Sequence, residues 1–368
     1  MKNKTCVVYG YLNCNVGDDL FFEVLAKRYP RVDFFLFPPS TLLPLYIKMF
    51  KHNKNIKFYN RDPKYIQLRK EIPDPNIILN TYPIMCDKIG EADIFINLGG
   101  SIFIQNENWQ NDDRKLLLEL AKGKPSFIIG SNFGPYYSKE YLNYYRQWFV
   151  QFKDVCFRDQ YSYQLFSDLK NTRVAHDIIL GTKRPCLVRT KKKTLGISVI
   201  DLENRKDLKN HETQYIAFLS KTIEKFIKEG YKITLYSFCD GEGDLKGIHK
   251  VLNALDKNID QSKIKIVSHR DDIRKFRRDF AKNEYIIGTR FHSIVLAIIN
   301  GQSVLPMIYN EKTEHMLNDL DEQIETLDIK KIIGNDSLEK MLKFQKIDFS
   351  NSKNTASEQF EILDQYLS

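Results

Sequence analysis

Short apolar runs alternate with helix-period stretches over most of this sequence, and the alternation starts, breaks and starts again. In the first half, 6–9, 33–37, 93–97, 126–129 and 155–157 read as strands, and 19–28, 113–122 and 141–152 carry the 3.6-residue period of helices. A basic, aperiodic stretch at 181–193 (GTKRPCLVRTKKK) then has the Gly, Pro and charge of a linker. The pattern resumes with strands at 195–200, 232–238, 263–267, 285–287 and 304–308. Helices at 213–229, 271–282, 294–299 and 311–320 lie between or after them. Two βα series in succession predict two parallel sheets, each covered by helices on both faces. The expected architecture is therefore α/β, with two doubly wound, Rossmann-like domains facing a cleft. They are placed at 1–181 and 194–330, with a helical tail at 331–368 around a polar spacer at 351–357. A length of 368 residues fits two such domains.

Several classes are excluded at once. No run of about 18 uninterrupted apolar residues exists to span a bilayer. The nearest approach, 34–50, is broken by Pro38, Pro39 and Pro44, and is followed by the basic 51–54. It reads as a strand, a loop and a buried helix in preference to a segment resting on an anionic membrane surface. Six cysteines without a CxxC pair make neither a disulfide framework nor a zinc ribbon, and suit small buried hydrophobes in a reducing compartment. The apolar stretch after Met1–Lys4 is too short for a secretory signal, so a cytoplasmic location is expected. Seven scattered histidines show no HxH or HExxH spacing, and no metal is called for. Asp271 and Asp272 open a basic helix and read as its cap. Against 47 Asp and Glu stand 56 Lys and Arg, a net charge of +9 that favours anionic partners.

In doubly wound sheets ligands bind beyond the carboxyl ends of the strands, so the residues after each strand are the candidates. The first strand leads into Gly10-Tyr-Leu-Asn-Cys-Asn15-Val-Gly17-Asp18-Asp19, where Asp18 or Asp19 can cap the next helix. This is not the GxGxxG of a dinucleotide site. Two later loops, Gly99-Gly100-Ser101 and Gly130-Ser-Asn132-Phe-Gly134-Pro135, bring backbone N–H groups to the same edge, which suits a phosphate or carboxylate. Arg158-Asp159 follows the strand at 155–157; its guanidinium can grip such a group in a planar fork or form a structural ion pair. The sharpest signal is Gly288-Thr-Arg290-Phe291-His292-Ser293 ahead of an apolar helix expected to begin near Ser293. Arg290 and His292 then sit at the positive end of a buried helix, where an anion is favoured. Burial without partners would cost them several kcal/mol.

Taken together and in order, Asn15-Val-Gly17-Asp18, Gly99-Gly100, the Gly130–Pro135 loop, Arg158-Asp159-x-x-Ser162, Arg290-Phe291-His292 and Tyr309-x-x-Lys312 resemble the polysaccharide pyruvyl transferase family. Phe291 stands where that family usually has Leu. The resemblance implies a GT-B-like fold and transfer of pyruvate from phosphoenolpyruvate to a sugar, generally as a ketal bridging two hydroxyls. Phosphoenolpyruvate would be a substrate, with no cofactor. Its phosphate and carboxylate need two cationic grips: Arg290 with the helix terminus at Ser293 for one, Arg158 or Lys312 for the other. Asn15, Gly99, Gly100 and Asn132 complete the expected substrate contacts. His292 is expected to donate a proton or stabilise departing phosphate, and Asp18 or Asp159 to take the hydroxyl proton. The expected acceptor is a growing surface glycan or lipid-linked oligosaccharide, with the protein weakly attached to the inner leaflet of the membrane. Loops 38–64 and 102–113, with Trp109, Tyr46 and Phe50 stacking on a sugar ring, are expected to set acceptor specificity.

Two other readings compete. A nucleotide-sugar-dependent GT-B glycosyltransferase would place Arg290 on a diphosphate, but no acidic residue is placed after 301 to hold a ribose. A nucleic-acid binder would use Lys191–Lys193 and the basic helix at 270–278. That helix also carries Asp271, Asp272 and Asp279, which makes it a solvated charged face, and nucleic acid is not expected.

Overall fold

The structure is a computed structural model that describes residues 3–59, 88, 90–107, 109–111, 121–203, 205, 207–270, 272–320, 323–332 and 337–367. It divides into two compact units: Met1–Asn13, Asp18–Gly181 and Lys353–Ser368 form one, Cys14–Gly17 and Thr182–Ser352 the other.

The first unit holds a seven-stranded sheet ordered β3-β2-β1-β4-β5-β6-β7. Its strands are β1 (Lys4–Tyr9), β2 (Val32–Leu36), β3 (Ile56–Phe58), β4 (Ile94–Leu98), β5 (Ser126–Ser131), β6 (Asp154–Phe157) and β7 (Thr172–Val174). Every pairing is parallel. β4 and β5 are buried along their whole length, which is why their centres read as apolar runs, with Asn97, Ser126 and Ser131 as buried polar exceptions. The edge strands β3 and β7 are short and only half buried, and they went unpredicted because Lys57, Thr172 and Arg173 interrupt any apolar pattern.

Helices α1 (Val16–Arg28), α2 (Leu43–Met49), α3 (Lys139–Phe149) and α4 (Gln160–Gln164) connect these strands. The apolar segment at 34–50 is, as expected, a buried strand and a helix that sinks Tyr46 and Met49 into the core. Ser138 caps α3 by accepting the Tyr141 N–H, and the helix buries Tyr141, Tyr145, Trp148 and Phe149 on one face. These pack with Phe103, Phe133 and Phe166 in an aromatic core beneath the loops after β4 and β5. The helix expected at 113–122 lies outside the described residues apart from 121–122.

The second unit holds a six-stranded sheet ordered β10-β9-β8-β11-β12-β13. Its strands are β8 (Thr194–Ser198), β9 (Lys232–Ser237), β10 (Ile264–Ser268), β11 (Tyr285–Gly288), β12 (Ser303–Ile308) and β13 (Leu327–Asp328), again all parallel. Helices α5 (Glu212–Lys228), α6 (Asp244–Asn253), α7 (Ile273–Phe280), α8 (Phe291–Asn300) and α9 (Glu311–Asn318) follow its strands. Asp272 caps α7 by accepting the Arg274 and Lys275 N–H groups, while Asp271 lies outside the described residues. α6 was not expected, because Gly247 interrupts it; a Cβ there would stand 2.6 Å from the Ile200 carbonyl oxygen, so the glycine lets the helix lie against the loop after β8.

In both units the sheet order reverses beside a central strand, at β1/β4 and at β8/β11. Ligand sites of doubly wound sheets form at such points. The last residues return to the first unit, where Gln359 accepts the Gly130 N–H and donates to the carbonyls of Phe157 and Ala175. Among the described residues no helix is long and apolar enough to cross a membrane.

Candidate active site

In the first unit, β6 delivers Arg158 to the carboxyl edge, buried to 4 % exposure. Its Nη1 donates to Asp177, and its Nη2 to the side-chain oxygen of Asn132 and, at 3.3 Å, to Ser101 Oγ. The partner of Arg158 is thus Asp177, which follows β7, and not its neighbour Asp159. Asp159 is also buried, but its carboxylate accepts the Ser162 N–H and caps α4. The sequence expectation of a proton-accepting Asp159 meets a carboxylate already engaged as a helix cap.

The Gly99–Gly100 turn brings the neighbouring loops together. Ser131 Oγ donates to the Gly99 carbonyl, and the Asn132 N–H donates to that of Gly100. Gly99 has φ +149°, in the range that favours glycine, and Asp18 Oδ1 lies 3.5 Å from where its Cβ would be. Asp18 is therefore beside this turn, in the first turn of α1, and buried. Asp19, the other capping candidate, is fully buried and accepts from the Tyr46 hydroxyl.

That hydrogen bond corrects an expectation. Tyr46 and Phe50 are not sugar-stacking surface residues; both are buried, stacked on each other and packed on Phe58. Trp109 is half buried against Tyr141 and Tyr144. Of the two expected specificity loops, 60–64, 108 and 112–113 lie outside the described residues.

In the second unit, α8 begins at Phe291, two residues earlier than the apolar pattern implied. Arg290 is its extended N-cap residue, and His292 lies in its first turn. All ten residues of α8 are buried, and it ends at Gly301 with φ +65°. The Arg290 N–H donates to Ser198 Oγ at the end of β8, which fixes it at the switch point of the sheet. Ser293 Oγ turns back to donate to the Arg290 carbonyl at 2.6 Å.

The Arg290 side chain meets two carboxylates that follow β9, Glu242 in the turn and Asp244 at the start of α6. Its Nε and Nη2 donate to Asp244, and its Nη1 to Glu242. Asp244 is fixed further by accepting the Phe238 and Cys239 N–H groups. Glu242 also accepts from Arg205, whose guanidinium lies over the Tyr309 ring at 5.2 Å. Burial opposes ionisation of Glu242, but Arg290, Arg205 and Lys312 outweigh it and hold the carboxyl down at about 2.

The short segment Cys14–Gly17 is counted with this unit. Asn15 forms an isolated bridge with Cys239, and the Val16 N–H donates to the Phe238 carbonyl. Asn15 itself accepts the Gly17 N–H, closing a tight turn. A Cβ on Gly17 would fall 1.7 Å from His292 Nδ1, so the imidazole lies directly against bare glycine backbone. Sequence reasoning thus found Arg158, Arg290 and His292 at strand ends but missed Asp177, Arg205, Glu242 and Asp244. The acids at 240, 242 and 244 follow a predicted strand, so the strand-end rule could have flagged them.

Two doubly wound parallel sheets define the class: a GT-B-like α/β protein with two Rossmann-like domains. Within it, the chain belongs to the polysaccharide pyruvyl transferase family, whose profile matches residues 15–311. It is 24% identical over 258 residues to the amylovoran biosynthesis protein AmsJ of Erwinia amylovora, covering 64% of this chain and 61% of that protein. Anabaena Alr3699/HepE, solved in complex with UDP-glucose, superposes with a TM-score of 0.55 at 14% identity, over 99% of this chain and 98% of that one. The UDP-GlcNAc 2-epimerase of Neisseria meningitidis gives 0.58 at 11% identity, over 99% of each chain. These two likenesses are of fold.

Proposed function

We propose that this protein transfers pyruvate from phosphoenolpyruvate to two hydroxyls of a sugar in a surface polysaccharide or its lipid-linked precursor, on the cytoplasmic face of the membrane. The observation that carries the reading is Arg290, anchored at the switch point of the second sheet with Arg205 nearby and His292 in the first turn of the helix it caps. Membership of the pyruvyl transferase family supports it.

In this reading the second unit holds the donor. Arg290, Arg205 and Lys312 compensate the donor's phosphate and carboxylate. His292 delivers a proton to the methylene carbon, C2 becomes electrophilic, and the first sugar hydroxyl adds there. Phosphate leaves, and the second hydroxyl closes the ketal as its proton is released. One proton ends in the new methyl group and the other on phosphate. Asp18 is the carboxylate assigned to accept an acceptor hydroxyl proton. In the first unit, the polar cluster of Arg158, Asn132 and Ser101 is assigned to substrate recognition.

The test is incubation with carbon-labelled phosphoenolpyruvate and a panel of lipid-linked oligosaccharides, following phosphate release and label entering the glycan. Both should rise together and vanish in Arg290→Ala. Consumption of a nucleotide sugar, with phosphoenolpyruvate untouched, would replace this reading with glycosyl transfer.

A further inference from the structure

The two carboxylates on Arg290 are held in different ways. Asp244 is fully buried and is tied by two backbone N–H groups as well as by the guanidinium. The Glu242 side chain is one-third exposed, and its carboxylate is held by side chains alone: Arg290 and Arg205 by hydrogen bonds, Lys312 through space. It sits in the single 3-10 turn Asp240–Glu242, and the next residue, Gly243, has φ +88°. That left-handed glycine is a joint between the turn and the fixed Asp244.

We infer that Glu242 occupies the subsite of the donor's phosphate in the unliganded protein and is displaced when that phosphate binds. The inference rests on the donor assignment made above. Its physical basis is charge. Arg290 meets both Asp244 and Glu242, while Arg205 and Lys312 act on Glu242; with Glu242 swung away, three cations remain against one carboxylate, an excess of two positive charges. A phosphate monoester carries close to two negative charges near neutral pH. A single Glu242 oxygen accepts from both Arg290 Nη1 and Arg205, a bridging position that a phosphate oxygen fills equally well. Leaving the three cations with Asp244 as their one carboxylate would be costly, so an internal anion keeps the site in order until the ligand replaces it.

The arrangement also sets specificity. Because Glu242 is tethered beside the cations, an incoming anion competes with a partner at high effective concentration. A dianionic phosphate ester wins that competition, whereas a monoanion such as free pyruvate is turned away. Glu242 is thus a specificity-determining residue, and Asp244 a positioning residue that keeps Arg290 aimed.

Calorimetric titration of the full chain with phosphoenolpyruvate, pyruvate and uridine diphosphate, in separate arms, tests this. Glu242→Gln should bind phosphoenolpyruvate about tenfold tighter than wild type and lose most of its discrimination against pyruvate. Asp244→Asn should bind more weakly, so the two carboxylates give opposite signs, which a shared structural role would not produce. Glu242→Ala, at a partly exposed position, repeats the first measurement should the amide find a new partner. Unchanged or weaker binding in both Glu242 variants overturns the inference. A tenfold gain seen only with uridine diphosphate keeps the displaced carboxylate but overturns phosphoenolpyruvate as donor. If neither wild type nor Glu242→Gln binds any of the three, no anion enters this subsite and the inference falls.

Discussion

The guanidinium of Arg158 lies across the backbone of Gly100, so a Cβ at that position would stand 2.6 Å from Nη1. The far end of an arginine can usually swing aside, but this one is pinned by Asp177 and Asn132 and is buried. Gly100→Ala must therefore pull the guanidinium off at least one partner, an overpacking cost of about 1–3 kcal/mol. The expected outcome is a lower unfolding midpoint with the fold retained, and transfer activity reduced about tenfold. Circular dichroism and steady-state kinetics on the purified variant check both parts, and an unchanged unfolding midpoint would contradict the packing argument.

Gly17 stands in the same relation to His292. An alanine methyl would occupy the position of the imidazole ring, and α8 is too completely buried to move away. Gly17→Ala is expected to rotate the ring out of place and to lower kcat by about 10²-fold, the lower range for loss of a general acid. If His292 is the proton donor, Gly17→Ala and His292→Ala should each be severely impaired, and the double variant should be little worse than either. Additive losses would separate the two residues.

What the sequence made legible follows from burial. Strands covered on both faces, such as β4, β5 and β11, are mostly apolar and announce themselves. The edge strands β3, β7 and β13 are too short and too exposed to do so. The arginines at strand ends were visible because position after a strand is a local property. Their partners were not: Asp177 follows a strand that itself went unseen, and the pairing of Arg290 with Asp244 joins residues 46 apart in sequence. Local spacing also carries no sign that residue 359 returns to the first sheet, since the contact is made with backbone groups of Gly130, Phe157 and Ala175, which lie 229, 202 and 184 residues earlier in the chain.

That returning residue is itself a structural test. Gln359 is fully buried, and its amide serves Gly130 on one side and the carbonyls of Phe157 and Ala175 on the other. Replacement by leucine fills similar volume but removes the side-chain partner of the Gly130 N–H and the Ala175 carbonyl, at about 1–3 kcal/mol for a buried group, while the Phe157 carbonyl keeps the Ala175 N–H. Gln359→Leu should therefore lower the unfolding midpoint clearly, and Gln359→Glu should do so as well, because a carboxylate cannot donate to the two carbonyls. Differential scanning calorimetry reads the shift, and a neutral Gln359→Leu would show that the tail is not held by these bonds.

The acid limb of stability offers a check on Glu242 that needs no substrate. Its carboxyl is held near 2 in the folded protein against an ordinary 4.5: burial alone would raise it, but Arg290, Arg205 and Lys312 more than reverse that. Folding thus favours the ionised form, and the stability it contributes is present above about pH 4.5 and lost as pH falls toward 2. Asp244 faces the same guanidinium, and other acids titrate in the same range, but they are common to wild type and Glu242→Gln and largely cancel in the difference. Wild type should therefore be more stable than Glu242→Gln above about pH 5, with the gap narrowing steadily between about pH 4.5 and 3. Urea unfolding midpoints measured across that range decide the matter: a gap independent of pH would mean that the cations do not hold the Glu242 carboxylate as its contacts indicate.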